Sequence, residues 1–290
     1  MKKIISCFII ITFAVVAISC RSVSNPGSTP TSALYQNYMR LSTDDKILAD
    51  SLLTLALDNE GLFTICSDLK PISTVRNVYF KIAKDSTMKD GLRNVVDRNH
   101  PDLVRIANAT RVLERLETDR IGFFVEPFKM VWKSRQRAME IVVYRKDLIA
   151  DMVQSKQEFF GQWGFVPSTS PELIINTIEF ESKYDRFRGY GYLFGYPEHA
   201  VDFFVSASQR TDSTGKEVPR EFLSMPSYGG DGRFVYAVAK GSGFNQQDSL
   251  IYRNAKQLTE KYKAIRSNYK NGTKLQAARL IRDWKWDERK

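Results

Sequence analysis

The chain has 290 residues, of which 43% are hydrophobic and 12% aromatic, and its formal net charge at pH 7 is +10. This content of apolar side chains is enough for a buried core, which excludes an intrinsically disordered protein. Such a charge is typical of nucleic-acid-binding proteins, but its distribution along the chain argues against that class.

The chain begins with an export signal. Met1-Lys2-Lys3 is followed by an apolar run of 15 residues, 4–18, and then by Ser19-Cys20. A positive start, a short apolar segment and a small residue before a cleavage point are the parts of a secretory signal peptide. The run is shorter than the ~20 apolar residues that a membrane-spanning helix needs.

The end of this segment, Ala17-Ile18-Ser19-Cys20, resembles the lipobox of bacterial lipoproteins, although Leu is commoner than Ala at position 17. The resemblance implies that residues 1–19 are removed, that the Cys20 thiol carries a diacylglycerol, and that the freed amine takes a third acyl chain. Several acyl chains anchor a protein firmly without a spanning helix. The alternative is an ordinary signal peptide with an incidental cysteine.

Residues 20–33 are predicted to form the lipidated cysteine and a flexible tether, because the stretch is polar and contains Ser, Pro and Gly without apolar periodicity. Arg21-Ser22 lacks the Asp that resembles an inner-membrane retention signal. We therefore expect the protein on the periplasmic face of the outer membrane, in the cell envelope.

Cys66 is left without a partner, since Cys7 leaves with the signal and Cys20 is acylated, so the mature chain can form no internal disulfide. It lies in an apolar run and is interpreted as a small buried hydrophobe. The alternative is a nucleophile paired with His199 or His100. Lys70-Pro71 is interpreted as a turn, with anion binding by Lys70 as the alternative.

Hydrophobic periodicity predicts the elements of the remaining chain. The predicted helices begin at residues 42, 101, 147, 170, 184, 197, 247 and 273, and the predicted strands are 78–82, 120–126, 138–144, 220–225 and 233–239. Residues 210–218 are predicted to be a polar loop. Without regular βαβ alternation, the pattern indicates an α+β fold: a mixed sheet of about five strands, several helices and a C-terminal helical pair. Residues 34–290 are expected to form one domain.

Two segments, residues 60–73 and 191–197, resemble signatures of an uncharacterised lipoprotein family, and that resemblance implies no activity. The second segment precedes a helix that starts at Pro197. Glu198, His199 and Asp202 fall on one face of that helix, because residues three and four apart are neighbours. A carboxylate beside an imidazole can hold one tautomer for general base catalysis, so these three are the candidate catalytic residues.

Arg188, Tyr190 and Tyr196 precede the same helix and are candidate ligand-binding residues for a carboxylate- or sugar-bearing ligand. The alternative is a purely structural helix–turn–helix. No metal or cofactor site is predicted, because no second motif supplies further ligands.

The positive charge is concentrated in the C-terminal helices. Residues 253–290 contain 12 Lys and Arg against 4 Asp and Glu, and the preceding mature chain is neutral. An exported protein does not meet cytoplasmic nucleic acid, so anionic lipid, an acidic glycan or an acidic envelope protein is the expected partner. A solvated helix face is the alternative. The sequence thus predicts a lipid-anchored cell-envelope protein with a binding or structural role; the alternative is a periplasmic hydrolase that uses His199 with Asp202 or Glu198.

Overall fold

The computed structural model describes residues 30–81, 99–132, 136–230 and 233–285. Their helices are α1 (Pro30–Met39), α2 (Thr43–Asp58), α3 (Gly61–Ile65), α4 (Pro101–Leu116), α5 (Lys146–Ser155), α6 (Gln157–Phe160), α7 (Pro171–Phe180), α8 (Lys183–Leu193), α9 (Glu198–Thr214), α10 (Gln246–Arg266) and α11 (Ala277–Asp283). Their strands are β1 (Ile72–Lys81), β2 (Ile121–Trp132), β3 (Gln136–Arg145), β4 (Arg220–Met225), β5 (Phe234–Ala239), β6 (Lys270–Asn271) and β7 (Lys274–Leu275). The α+β class is confirmed.

The predicted mixed sheet of five strands is wrong. The main sheet has three antiparallel strands in the order β1-β3-β2, and β4 pairs with β5 in a separate two-stranded hairpin. A third pair, β6 with β7, is a two-residue ribbon. Periodicity identifies each strand, but the choice of partner depends on tertiary packing that periodicity does not encode.

Both faces of the three-stranded sheet are covered. On β3, Ile141 and Val143 enter the main core with α2, α3 and α4, whereas Val142 and Tyr144 enter a second core with α5, α7 and α8. This alternation follows from the period of two along a strand. It explains the unbroken apolar run of β3, since a strand buried on both faces has no solvent side.

Several predicted helix starts are confirmed. The Ser42 side chain accepts a hydrogen bond from the Asp45 backbone N–H at 3.2 Å, and the Ser170 side chain accepts one from Leu173, with Pro171 at the first helical position. Each cap satisfies a donor that a helix start leaves unpaired.

Two predicted irregular segments are partly helical. α1 begins at Pro30, inside the predicted tether, and Thr31 and Leu34 are fully buried. α9 continues to Thr214 through the predicted polar loop, and it ends at Gly215, which has a φ of +67°. A left-handed residue after the last turn is a common helix stop. The predicted signal peptide and Cys20 lie outside the described residues.

The predicted C-terminal helical pair is present in shortened form. An Asn245–Asp248 capping box starts α10, and a turn at Gly272 joins β6 to β7 before the short α11. One side of α11 and the residue after it are buried: Ala277, Leu280, Ile281 and Trp284. α11 packs against α1, where the Arg282 guanidinium lies 4.6 Å from the Tyr35 ring centroid.

Candidate functional site

Residues 60–73 and 191–197 pack against each other. The turn between α8 and α9 contains Gly195, whose φ is +72°. A β-carbon placed there would lie 3.0 Å from Pro71 Cδ and 3.1 Å from the Leu69 carbonyl oxygen. Only glycine adopts this backbone readily and leaves this space, so Gly195 permits the close approach of the two segments.

A buried ion pair lies at this junction. The Lys70 side chain is fully buried, and its ammonium contacts Glu60 Oε2. Burial lowers the pKa of Lys70, although the Glu60 charge opposes that shift. Three aromatic rings surround the ammonium at centroid distances of 4.5–5.8 Å: Phe234, Phe194 and Tyr196. Lys70, which the sequence analysis interprets as a turn residue, is therefore one half of a buried ion pair. The anion that it binds is the side chain of Glu60.

Glu60 is fixed by further hydrogen bonds from the start of β1. The Thr74 backbone N–H donates to Glu60 Oε1 at 3.0 Å, and the Ser73 hydroxyl donates to the Glu60 carbonyl at 2.9 Å. Ser73 Oγ also lies 2.8 Å from Thr64 Oγ1. The carboxylate therefore joins the end of α2 to β1 in a defined position.

Three further carboxylates are buried where α7 meets the main sheet. Glu126 and Glu140 face each other across β2 and β3, and Glu179 approaches from α7. Burial raises the pKa of Glu126 to about 9, and the neighbouring charges of Glu140 and Glu179 add to the shift. Burial likewise raises the pKa of Glu140 to about 7, against a hydrogen bond from Thr74. The carboxyl group of Glu126 is therefore protonated at neutral pH.

Tyr190 connects this acidic cluster to a cleft. Its hydroxyl donates to Glu179 Oε2 at 2.8 Å and lies 3.3 Å from Glu126 Oε1. Burial and these carboxylates raise the pKa of Tyr190, so its hydroxyl stays neutral. The hydroxyl of Tyr190, a predicted ligand contact, is thus already hydrogen-bonded within the protein, and only its ring is available to a ligand.

The cleft is a cavity of about 290 Å³ between α8, α9 and the β4–β5 hairpin. Its lining is mostly aromatic and aliphatic: Phe187, Tyr190, Gly191, Phe194, Tyr196, Ala200, Val201, Phe204, Phe222, Val235, Tyr236 and Ala237. Two of the predicted ligand-binding residues, Tyr190 and Tyr196, therefore meet in one cavity. Phe194 and Tyr196 belong both to this cleft and to the rings around Lys70.

The predicted catalytic carboxylates each pair with a cation. Glu198 pairs with Lys156 at 2.9 Å, and Asp202 pairs with Arg188 at 2.5 Å. Both carboxylates are more than half exposed. Arg188 also contacts the Tyr192 hydroxyl and does not line the cleft. Among the described contacts, neither Asp202 nor Glu198 bonds to His199, so the role of these three residues in catalysis stays a prediction.

His199 instead faces the start of α10. Its Nε2 lies 3.3 Å from Asp248 Oδ1 and 3.2 Å from Asn245 Nδ2. Asp248 is buried, accepts a hydrogen bond from the Tyr236 hydroxyl at 2.7 Å, and bonds to the Asn245 backbone as part of the capping box. Because Asp248 already serves as a helix cap, its contact with His199 has an ordinary structural explanation. The Asn-x-x-Asp spacing is the sequence signal that identifies this cap.

Cys66 is buried, as predicted, and burial raises its pKa well above the usual range. A catalytic cysteine needs the opposite shift. The nucleophile alternative is therefore not supported by the environment of this thiol.

No protein-family model matches the chain, and searches of curated proteins and of solved structures found no significant match. In the described part of the chain, no helix is both long and apolar enough to cross a bilayer. Across the same residues, no three His, Cys, Asp or Glu side chains are grouped so that they could hold a metal ion.

Proposed function

We propose that this protein is a lipid-anchored cell-envelope protein that binds a single-chain amphipathic anion, such as a fatty acid, in the aromatic cleft. The anchor rests on the lipobox-like sequence that ends at Cys20. The binding role rests on one observation, a cationic side chain that lies beside lining residues of an apolar cavity.

That cation is Arg220. On the β4–β5 hairpin, Phe222 is opposite Ala237 and Arg220 is opposite Ala239, so both pairs occupy the same face. Phe222 and Ala237 line the cleft, and Arg220 continues this face by one further pair. Its guanidinium carbon lies 5.8 Å from the centroid of Phe204, which also lines the cavity.

Arg220 differs from the other cations near the cleft. Lys183 pairs with Asp212 at 2.5 Å, Arg186 with Glu179 at 3.6 Å, and Arg188 with Asp202. Among the described residues, Arg220 forms no salt bridge, and its Nε contacts the Val218 carbonyl oxygen at 3.4 Å. Its guanidinium is therefore available to a carboxylate or phosphate, the groups that Arg binds with paired N–H donors.

The size of the cleft favours one chain. A volume of about 290 Å³ is at the small end of ligand pockets, which commonly span ~300–1,000 Å³. Such a cavity suits one acyl chain better than a phospholipid with two. Phe222 is 64% exposed, so a chain that covers it gains apolar burial.

The ligand is tested by paired titrations. A soluble form that starts at Arg21 is titrated with dodecanoate and with dodecanol, which share a chain and differ in head-group charge. Arg220→Gln should weaken dodecanoate binding by about tenfold, the effect of losing a charge-assisted hydrogen bond, and leave dodecanol unchanged. Arg210→Gln, at an exposed position of α9, is the control. Equal dodecanoate affinity in the wild type and Arg220→Gln contradicts the role of Arg220.

The anchor is tested separately. Cells that express the wild type or Cys20→Ala are given an alkyne-bearing fatty acid, and membranes are separated from soluble fractions. The wild type should be labelled and membrane-bound, whereas Cys20→Ala should be unlabelled. Labelling of the variant contradicts acylation at Cys20 and leaves the cleft proposal unaffected.

A further inference from the structure

The contact between Lys70 and Glu60 has the features that amide formation requires. We propose that the two side chains are joined in the mature protein by an intramolecular isopeptide bond between Lys70 Nζ and Glu60 Cδ. The proposal is independent of the ligand in the cleft. It rests on proximity, on a hydrogen-bond donor aimed at the carboxyl group, and on the exclusion of water.

Proximity is imposed by the fold. The Lys70 ammonium contacts Glu60 Oε2, and the two residues are separated by α3, all five of whose residues are buried. A nucleophile held against its carbonyl group reacts as if it were present at very high concentration, because the entropy of encounter has already been lost. Folding thus brings the reacting groups together before any chemical step.

The carboxyl group has a donor on its second oxygen. The Thr74 backbone N–H lies 3.0 Å from Glu60 Oε1, the oxygen that becomes negative in a tetrahedral intermediate and the carbonyl oxygen in the amide product. A fixed backbone N–H at this position stabilises such an oxyanion. The same hydrogen bond persists in the product.

The surroundings exclude water. Lys70 has no exposed surface, and the rings of Phe194, Tyr196 and Phe234 enclose its ammonium. Burial lowers the pKa of Lys70, which raises the fraction of neutral amine. A dry site also prevents hydrolysis of the product.

The step balances without an added reagent. One ammonium proton moves to Glu60 Oε2, which gives a neutral amine and a carboxylic acid. The Nζ lone pair forms the C–N bond, a second proton passes from nitrogen to the hydroxyl oxygen Oε2, and the Cδ–Oε2 bond breaks with release of that oxygen as one water molecule. The amide nitrogen keeps one hydrogen. Two buried charges are replaced by a neutral amide, which removes their desolvation cost.

Mass spectrometry of the full-length lipoprotein tests the bond. Trypsin does not cleave the Lys70–Pro71 bond, so Glu60 and Lys70 lie in one tryptic peptide, residues 47–76. After denaturation, alkylation of Cys66 and digestion, we expect this peptide to be lighter than its sequence mass by one water molecule. Fragment ions from cleavage between residues 60 and 70 should be absent, because the side-chain link holds both parts together.

Lys70→Arg is the matched variant, since a guanidinium keeps the positive charge but is a very poor nucleophile. Its corresponding peptide should have the full mass and a complete fragment series. A wild-type peptide of full mass with complete fragments overturns the proposal. A water loss that persists in Lys70→Arg overturns it as well, because it would place the dehydration elsewhere.

Discussion

Glu126 and Glu140 are directly opposite each other on β2 and β3, and both side chains are buried. Two like charges on directly opposite residues in a buried site repel each other strongly. The raised pKa values, about 9 for Glu126 and about 7 for Glu140, mean that the folded state holds protons that the unfolded chain releases at much lower pH. The stability of the protein should therefore depend on pH.

The first prediction concerns that dependence. A carboxyl group with a raised folded-state pKa contributes stability that is fully present below its unfolded pKa and is lost as the pH rises through the folded value. The free energy of unfolding should fall between pH 5 and pH 8. Glu126→Gln, which keeps a neutral side chain at all pH values, should raise stability at pH 8 by about 2 kcal/mol and change it little at pH 5.

Urea unfolding at both pH values measures this effect. Glu158→Gln, at an exposed position of α6, is the control and should leave the pH dependence as in the wild type. An identical fall in stability for Glu126→Gln and the wild type would show that Glu126 is not protonated in the folded state.

The second prediction concerns the Cys66 thiol. Because the side chain is buried and its pKa is raised, a thiol reagent should not react with the native protein at pH 8. The labelling rate should rise with urea in parallel with global unfolding, monitored by circular dichroism. Rapid labelling in the absence of urea would mean that the main core opens locally near α3.

The third prediction concerns the cleft wall. Phe222→Ala removes a ring that is 64% exposed, so the free energy of unfolding should change little. Dodecanoate binding should weaken by about tenfold, because the variant loses the apolar burial that one partly buried aromatic ring contributes to binding. Phe244→Ala is the matched control, since Phe244 is 44% exposed and packs against Tyr252 outside the cleft. Equal losses of affinity in both variants would indicate nonspecific binding to exposed rings.

The fourth prediction concerns the basic C-terminal region. Lys256, Lys263 and Lys270 are exposed. Replacing all three with Gln should weaken binding of the soluble form to anionic vesicles by roughly a hundredfold, because each Lys near such a surface contributes about 1 kcal/mol. The triple variant Arg210→Gln, Lys216→Gln and Lys240→Gln removes the same charge elsewhere. If both triple variants bind alike, net charge rather than this surface governs the interaction.

Local sequence signals predicted much of the fold. Ser170-Pro171 predicts the start of α7, and a β-branched run predicts β3, which is the central strand of the main sheet. These features depend on neighbouring residues only, so they can be read from a short window. The number of strands in the main sheet could not be read from a short window, because the pairing of β4 with β5 depends on packing across the whole fold.

The candidate site was less predictable for the same reason. The sequence predicts a turn at Lys70-Pro71, but nothing in the spacing of Glu60 and Lys70 shows that both side chains are buried. Asp248 reaches His199 from 49 positions away along the chain. Residues that meet through tertiary packing, such as Tyr190 and Glu126, leave no periodic trace in the sequence.

The packing of α1 against α11 has a consequence for orientation at a membrane. An acylated Cys20 would be separated from Pro30 by ten residues, a span of at most ~36 Å even when fully extended. A lipid anchor would therefore keep the end of the body formed by α1 and α11 near the bilayer. Arg279 of α11 is exposed and belongs to that end, so the acyl chains and this cation would engage one leaflet together. Two attachments on one side of a domain restrict its rotation, which would leave fewer orientations than a tether alone.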